Sequence, residues 1–373
     1  MNARLIDSTL REGSQAVVPY LSPDQKAAVI AGLGSIGVEE IELGHAVTEL
    51  AYGSEPLTGL MAAAAENAPQ ARRAIWCRAR AEDIRTAAAL GPEVVSFALP
   101  ISDRHLASRL HKDRDWALAE IGRLVTVSRE AGVSYVSIGL EDATRADPGF
   151  LDEIAEAAAQ AGADRLRIPD TVGICSPVQL AEIVTSVKSR FDGEVGVHVH
   201  NDFGMATASA ICAMEAGADW ADVSVLGLGE RAGISKLEEV AAWLSVRAGC
   251  HYDLLAARET AEMLSEWVQR PIEPQAPVIG SGIFTAESGL HVAGLAADPA
   301  TYEPYPPELV GAKRSLRLGR NSGRSAVMAL LPGASDDVIE ETARLRAEAA
   351  KQNHALDADQ VRRLAGGSES RPA

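Results

Sequence analysis

The chain has 373 residues, and its 52 acidic and 35 basic side chains give a formal net charge of −17. A charge of this sign repels phosphate backbones and anionic lipid, so we expect neither nucleic acid nor a membrane surface as a partner. The length exceeds an average domain of about 100–200 residues and fits one large α/β barrel with an appended region. Hydrophobic residues make up 47% of the chain, which is enough for a packed core.

The cysteines and the first residues indicate a cytoplasmic protein. The four cysteines lie far apart and form no CxxC pair, so we interpret them as small buried hydrophobes in a reducing compartment. The first residues contain no apolar segment of the kind found in signal peptides. No run of about 18 apolar residues predicts a transmembrane helix.

Eight short apolar runs predict strands, and each is followed by a helical pattern. The predicted strands are residues 4–7, 39–43, 74–77, 94–99, 135–140, 165–169, 195–200 and 221–226. Most of these runs lack regular polar alternation, which is typical of strands covered on both faces. The predicted helices are residues 22–36, 56–66, 81–90, 113–130, 150–161, 176–190, 205–216 and 236–246.

Eight βα units within about 250 residues predict a (β/α)8 TIM barrel, which we place at residues 1–270. A doubly wound open sheet is the alternative, but the first strand leads into Ser-Thr-Leu-Arg-Glu-Gly, which is no glycine-rich phosphate loop. Residues 271–373 are predicted to be a linker and a mainly helical C-terminal extension. Its helices are expected at residues 335–352 and 357–364, followed by a disordered tail at 366–373.

Ionisable side chains follow several of the predicted strands. In a barrel the carboxyl ends of the strands form one rim, where the chemistry takes place. The side chains expected at this rim are Arg11, Glu12, Glu42, Glu141, Asp170, Thr171, His198 and His200. So many ionisable groups at one rim indicate an active site.

The sequence His198-Val199-His200 predicts a metal site. Residues two apart on a strand point to the same face, so both imidazoles can reach one ion. Glu12 would add a carboxylate oxygen and leave positions open for substrate and water. The alternative is a pair of hydrogen-bonded histidines without metal. Ligand type alone does not separate Mg²⁺, Mn²⁺ and Zn²⁺.

Arg11 has two readings. An Arg-Glu pair in a turn is often solvated surface, but at the end of the first barrel strand, with Gln15 nearby, anion binding is favoured. The guanidinium presents a planar fork to a carboxylate or to a developing oxyanion.

The chain resembles the acetyl-CoA-dependent 2-oxo acid condensing enzymes, that is, the isopropylmalate, citramalate and homocitrate synthases. The motifs that carry this resemblance are IDSTLREGSQ, RIPDTVG, GVHVHNDFGMATA, GLGERAG, and ESGLHVAG with DPATYE. They lie in the family's order and span about residues 3–325. The segments that contain Trp76 and Glu141 most resemble the homocitrate synthases of nitrogen fixation.

The resemblance implies roles for individual residues. Glu12, His198 and His200 match the metal ligands. Arg11 matches the arginine that steadies the keto oxygen, and Thr171 matches the hydroxyl that holds the 2-oxo acid carboxylate. Glu141 matches an acidic residue that lines the acceptor pocket, and Glu42 a second one near the metal. Further candidates for substrate binding are Gln15, Arg78 and Ser137.

The C-terminal region carries the remaining implied residues. His291 and Tyr302 match a pair that this family delivers into the active site of the partner subunit. The resemblance therefore implies a homodimer with an exchanged C-terminal region. His291 is the candidate base that takes a methyl proton from acetyl-CoA, assisted by Glu141 or Tyr302.

The sequence favours one acceptor substrate and leaves alternatives open. Resemblance to the nitrogen-fixation enzymes favours 2-oxoglutarate and hence a homocitrate synthase. Ser14 stands where the family usually has an acidic residue, and Ala286 where a histidine is common. Together with Arg78, these departures make a more anionic acceptor such as phosphonopyruvate the alternative, as in a 2-phosphonomethylmalate synthase. Another alkylmalate synthase also remains open.

Two other classes of protein are alternatives to a condensing enzyme. A metal aldolase or acyl-CoA lyase on the same barrel would lack the His291–Tyr302 spacing and would cleave a hydroxy acid without consuming acetyl-CoA. A non-catalytic binding protein should have lost Arg11, Glu12 or the paired histidines, and the sequence retains all of them. A condensing acyltransferase is therefore favoured.

Overall fold

The computed structural model describes residues 3–50, 55–331 and 338–366. Two compact units are present, one that ends at Pro271 and one that begins at Ile272. No helix among the described residues is both long enough and apolar enough to span a bilayer.

The first unit is a closed barrel of eight parallel strands in chain order, which confirms the predicted fold. The strands are β1 (Arg4–Asp7), β2 (Glu40–His45), β3 (Arg72–Arg78), β4 (Val94–Pro100), β5 (Tyr135–Glu141), β6 (Arg165–Asp170), β7 (Glu194–Val199) and β8 (Trp220–Val223). The eighth strand is shorter than predicted. The chain turns at Val225–Gly227, where Leu226 has a φ of 60°, and such a backbone cannot continue a strand.

Helices surround the barrel. They are α1 (Pro23–Ile36), α2 (Ala46–Leu50), α3 (Glu55–Asn67), α4 (Ala81–Ala88), α5 (Asp103–His105), α6 (Arg114–Glu130), α7 (Pro148–Ala161), α8 (Pro177–Arg190), α9 (Ala206–Glu215), α10 (Leu237–Trp243) and α11 (Leu254–Trp267). The helices α2, α5 and α11 were not predicted. The last of these is a second helix after β8, and the Asp253 carboxylate caps it by accepting from the Ala256 N–H.

Two helix starts follow directly from the sequence. Ser22 and Ser176 each accept a hydrogen bond from the backbone of the residue three positions later, and the glutamine there bonds back to the serine N–H. A proline occupies the next position in both helices, where its missing N–H costs nothing. The predicted starts of α1 and α8 are therefore confirmed.

Alternate residues of each strand face opposite sides of the barrel wall. The apolar set faces the helices and is almost completely buried; it includes Leu5, Ile41, Ile75, Val95, Phe97, Val136, Ile138, Leu166, Ile168, Val195, Val197 and Val223. The set that faces the barrel interior is largely polar. This explains why the strands read as covered on both faces without being apolar throughout.

The amino end of the barrel interior is filled by charged and aromatic side chains, each the first residue of its strand. This basal layer consists of Arg4, Glu40, Arg72, Tyr135, Arg165, Glu194 and Trp220. Glu40 accepts from Arg72 and Arg165 at 2.8 Å and 3.0 Å. The Trp220 ring lies under three of the guanidinium groups, at 4.1–5.1 Å. Ion pairs and cation–π contacts therefore close this end.

The second unit has its own small core. Its helices are α12 (Gly289–Ala297), α13 (Arg324–Leu330), α14 (Val338–Gln352) and α15 (Ala358–Gly366), with a two-stranded parallel pair β9 (Thr285–Ala286) and β10 (Ser315–Leu316). The core consists of Leu318, Val327, Leu330, Leu345, Ala349, Leu356 and Val361. The predicted helix start at residue 335 lies outside the described residues. Of the tail predicted at 366–373, Gly366 ends α15 and residues 367–373 lie outside the described residues.

Candidate active site

Three predicted metal ligands meet at the carboxyl end of the barrel. Glu12 follows β1, and His198 and His200 lie at the end of β7. All three side chains are buried, and one ligand atom from each lies within 4.8 Å of the others. The structure therefore brings Glu12, from the loop after the first strand, next to two histidines at the end of the seventh.

The orientation of His198 is fixed by a carboxylate behind it. The Nδ1 atom of His198 lies 2.7 Å from Asp222 Oδ2, and the Nε2 atom faces Glu12 Oε2 at 3.8 Å. A carboxylate on one imidazole nitrogen fixes the tautomer and raises the basicity of the other nitrogen. Asp222 thus prepares the Nε2 atom of His198 as a ligand.

His200 is held in its neutral form. Burial, together with the nearby charge of His198, lowers the pKa of His200 to about 3. Its Nδ1 atom is buried and has no hydrogen-bond partner among the described residues. Although burial alone would raise the pKa of Glu12, the adjacent charge of Arg11 lowers it below its usual range, so this carboxylate is ionised.

This donor set fits a divalent cation. A neutral imidazole, a carboxylate-oriented imidazole and an ionised carboxylate converge in a buried place, and three protein ligands leave positions for substrate. The unpartnered Nδ1 atom of His200 and the Asp222 contact to His198 are the observations that support the fit. Nitrogen and oxygen ligands of this kind suit Mg²⁺, Mn²⁺ or Zn²⁺.

Arg11 lies beside the metal ligands and is rigidly held. It pairs with Glu12, and its Nε atom donates to Glu42 Oε2 at 2.8 Å. Its guanidinium lies over the Trp76 ring, 5.6 Å from the ring centroid. Burial alone would raise the pKa of Glu42, but Arg11 and Arg167 lower it well below its usual range. The ionised Glu42 therefore fixes Arg11 at the rim.

Sequence reasoning missed Arg167 and Asp222. The buried Arg167 side chain contacts Glu42, donates to Ser96 Oγ at 3.1 Å, and lies 2.5 Å from Asp222 Oδ2. The signal was available in part, because each is a charged residue inside a predicted barrel strand. We call the group Arg11, Glu12, Glu42, Arg167, His198, His200 and Asp222 the site layer.

The loop after β8 covers Glu12. The Glu230 N–H donates to Glu12 Oε1 at 3.3 Å, and Gly229 packs directly over that side chain. Arg231 holds the loop by donating to Asp202 at 2.8 Å and to the Thr171 carbonyl oxygen at 2.9 Å. The GLGERAG motif therefore shields one side of Glu12, a candidate metal ligand.

The acceptor-side candidates lie along the rim. The Thr171 hydroxyl accepts from the Asp142 N–H at 2.9 Å. Glu141 is held by Arg109, with Nη2 and Oε2 2.9 Å apart. Asp170, also predicted at the rim, accepts from the Cys175 N–H at 2.8 Å.

The three remaining candidates for substrate binding differ in exposure and in their partners. Arg78 is half-exposed at the end of β3 and contacts Asp83 at 2.5 Å. Gln15 is exposed in the short turn Gly13–Gln15. Ser137 lies deeper, completely buried, and its hydroxyl accepts from Arg165 Nε at 3.0 Å. These three residues remain predictions for substrate binding.

His291 and Tyr302 lie in the second unit and contact each other. Their ring centroids are 4.3 Å apart, with an angle of 62° between the rings. Both side chains are exposed, and both line a cavity of about 420 Å³ that Phe284 and Tyr305 also line. The predicted pair is therefore adjacent and accessible.

The parallel barrel and the site at its carboxyl rim define the class of a metal-dependent barrel enzyme. The family model described as HMGL-like matches residues 2–264, and that of the homocitrate synthase post-HMGL domain matches residues 278–353. An HMG-CoA lyase from Brucella melitensis has a similar fold, with a TM-score of 0.62 at 17% identity over 72% of this chain and 99% of that one.

Two curated relatives narrow this class. The homocitrate synthase of Frankia alni is 38% identical over 87% of this chain and 91% of its own length. The 2-phosphonomethylmalate synthase of Streptomyces rubellomurinus is 37% identical over 87% and 86%. The chain belongs to the HMGL-like family, within the synthases that condense acetyl-CoA with a 2-oxo acid. These enzymes use a divalent metal ion.

Proposed function

We propose that this enzyme is a homocitrate synthase that condenses acetyl-CoA with 2-oxoglutarate and then hydrolyses the thioester. The observation that carries the reaction class is the convergence of Glu12, His198 and His200 beside Arg11. The acceptor assignment rests on the similarity to the homocitrate synthase of Frankia alni and on the segments that contain Trp76 and Glu141.

We propose Glu12, His198 and His200 as the ligands of the divalent ion. The bound ion would supply Lewis-acid polarisation of the keto group. Arg11 donates to the keto oxygen and stabilises the negative charge that develops there. Glu42 keeps the guanidinium in place for this task. Because the Thr171 oxygen already accepts from Asp142, its own O–H is free to donate to the acceptor carboxylate.

The second unit supplies the acid–base groups in this proposal. His291 takes a proton from the methyl group of acetyl-CoA, and Tyr302 against its ring orients it. Glu141, held by Arg109, lines the acceptor side of the site. We propose that residues 271–373 form a linker and helical subdomain that completes the site of the partner subunit in a cytoplasmic homodimer.

The reaction is tested by thiol release from acetyl-CoA with a panel of 2-oxo acids. The panel contains 2-oxoglutarate, oxaloacetate, 2-oxoisovalerate, pyruvate and phosphonopyruvate. The expected outcome is the highest kcat/KM with 2-oxoglutarate. Cleavage of hydroxy acids without use of acetyl-CoA would indicate a lyase and contradict the proposal.

Phosphonopyruvate is the second candidate acceptor, because Ser14 replaces an acidic residue and the Streptomyces relative is 37% identical. A dianionic phosphonate needs more positive charge than a carboxylate, and Arg78 is half-exposed at the rim. If phosphonopyruvate gives at least about tenfold higher kcat/KM than 2-oxoglutarate, the homocitrate assignment is wrong. The condensing reaction itself would stand.

The exchanged dimer is tested by subunit mixing. The variants His291→Ala and Arg11→Ala are each expected to be nearly inactive. In a mixed dimer with exchanged second units, one site carries neither change, so activity should return. No recovery after demonstrated subunit exchange would place His291 in the site of its own chain.

A further inference from the structure

Five side chains of the site layer are linked by successive contacts across the barrel, and we call this series the ion-pair chain. Arg11 donates to Glu42 Oε2, and Glu42 Oε1 accepts from Arg167. Arg167 reaches Asp222 Oδ2, and the same oxygen lies 2.7 Å from His198 Nδ1. The ion-pair chain therefore begins at Arg11, which is proposed to bind the keto oxygen, and ends at His198, a proposed metal ligand.

Arg167 is the middle of this chain and its only member on β6. It spans 125 positions of sequence to reach Glu42, and it is almost fully buried, with 4% of its surface exposed. A guanidinium presents its donors in one rigid plane, so one group can fix two carboxylates at a set separation. An ammonium group has no such geometry.

We propose that Arg167 is a positioning residue that sets the placement of Arg11 relative to His198 by holding Glu42 and Asp222 together. It does not touch the metal ion or the acceptor in this role. The proposal rests on the metal site argued under Proposed function. It adds that the positions of both Arg11 and His198 depend on the buried side chain of Arg167.

Electrostatics alone predict the opposite effect on the metal. Arg167 is a cation near a cation site, so its removal relieves repulsion and leaves Glu42 and Asp222 more negative. Both consequences favour tighter metal binding. A loss of metal affinity on removal of Arg167 therefore cannot come from direct repulsion. It indicates that Asp222 and the groups it supports have lost their arrangement, which makes the sign of the change diagnostic.

Strand β6 also contains a matched control residue, Arg165. Arg165 lies two residues earlier, faces the same interior, and is also completely buried. It pairs with Glu40 and with Ser137 Oγ and contacts neither Glu42 nor Asp222. Arg165→Gln thus removes a buried arginine from the basal layer and leaves the ion-pair chain of the site intact.

The experiment measures divalent-metal affinity by competition with a chromogenic chelator, using Mn²⁺ and Zn²⁺ as probes. We expect Arg167→Gln to bind metal about 10–100-fold more weakly, as for other groups that orient metal ligands. We also expect a higher KM for the acceptor, because Arg11 loses its support. Arg165→Gln should lower the thermal midpoint and leave the metal affinity at the wild-type value.

Several outcomes would overturn the proposal. Wild-type or tighter metal binding by Arg167→Gln contradicts it, as does an equal loss of affinity in Arg165→Gln. Should Arg167→Gln fail to fold, Arg167→Lys replaces it, since lysine keeps the charge without the planar fork. We expect severalfold weaker metal binding in the lysine variant, and unchanged binding would overturn the proposal.

A His200→Ala variant separates this inference from the metal site itself. If the wild type binds no ion, or if His200→Ala binds as the wild type does, the ligand assignment is wrong. If His200→Ala loses the ion and Arg167→Gln keeps it, the ligand assignment stands and the positioning role is wrong.

Discussion

At the amino end of the barrel interior, Glu40 accepts from Arg72 and Arg165, and Glu194 accepts from Trp220 at 2.8 Å and from two further groups. At the carboxyl end, Glu42 likewise forms ion pairs with two arginines, Arg11 and Arg167. The basal layer and the site layer are thus built from similar ion pairs. Buried ion pairs alone therefore do not identify the active end.

The two layers differ in their histidines and in a nitrogen that can bind an ion. The nitrogen of the basal layer that has no partner in the described part of the chain, Arg4 Nε, can only donate. Only the site layer places imidazoles next to its carboxylates, and His200 Nδ1 remains without a hydrogen-bond partner among the described residues. In the basal layer, aromatic rings from Tyr135 and Trp220 cover the arginines instead. The comparison separates a layer that fills the barrel from one that leaves ligand capacity unused.

The largest expected effect is on stability and comes from the basal layer. Glu40→Gln leaves Arg165 buried without its anion, and we expect the free energy of unfolding to fall by about 3–5 kcal/mol. Metal affinity should stay at the wild-type value. Chemical denaturation and chelator competition measure the two quantities. Parallel losses of stability and metal affinity would mean that the layers are not independent.

A buried carboxyl group without an arginine should behave differently from Glu42. Burial raises the pKa of Glu238 to about 7, and its Oε2 atom accepts only from the Leu226 N–H among the contacts described. In the unfolded chain this group ionises at its ordinary pKa. The stability it contributes is therefore present below that value and is lost as the pH rises through about 7.

Glu238→Gln should remove this loss. We compare the free energy of unfolding of the variant with that of the wild type. Between pH 4 and pH 8, this difference should shift in favour of the variant by on the order of 2–3 kcal/mol. Denaturation at a series of pH values tests this, because the difference between the two proteins should grow from pH 4.5 to 7 and then level off. A difference that does not depend on pH would mean that Glu238 is ionised in the folded protein.

In the site layer, the carboxylate behind His198 should affect metal binding more than stability. Asp222→Asn keeps the shape of the side chain and removes the charge that fixes the imidazole tautomer. We expect about 10–100-fold weaker metal binding. The matched change in the basal layer, Glu194→Gln, should leave metal affinity unchanged. Equal effects of the two variants would contradict the division into layers.

The barrel and the convergence of the candidate metal ligands could be predicted because most of their signals are local. Eight apolar runs and two capping serines are short patterns, and His198 and His200 lie two positions apart, within β7 and directly after it. The polar interior depends on partners that a local pattern does not reveal. Arg167 and Glu42 are 125 residues apart, so their pairing is visible only in the three-dimensional structure. The same holds for Arg165 and Glu40.

The smallest expected effect concerns the space around Glu12. A Cβ atom at Gly229 would lie 3.2 Å from Glu12 Cγ and 3.3 Å from its Oε1 atom. These distances are tighter than ordinary packing, so Gly229→Ala should shift the carboxylate slightly. We expect a severalfold loss of metal affinity, below about 1 kcal/mol, with unchanged stability. Gly122→Ala in α6, where the added methyl group meets nothing within 4 Å, is the control and should bind metal normally. Unchanged affinity in Gly229→Ala would mean that Glu12 has room to move without loss of the ion.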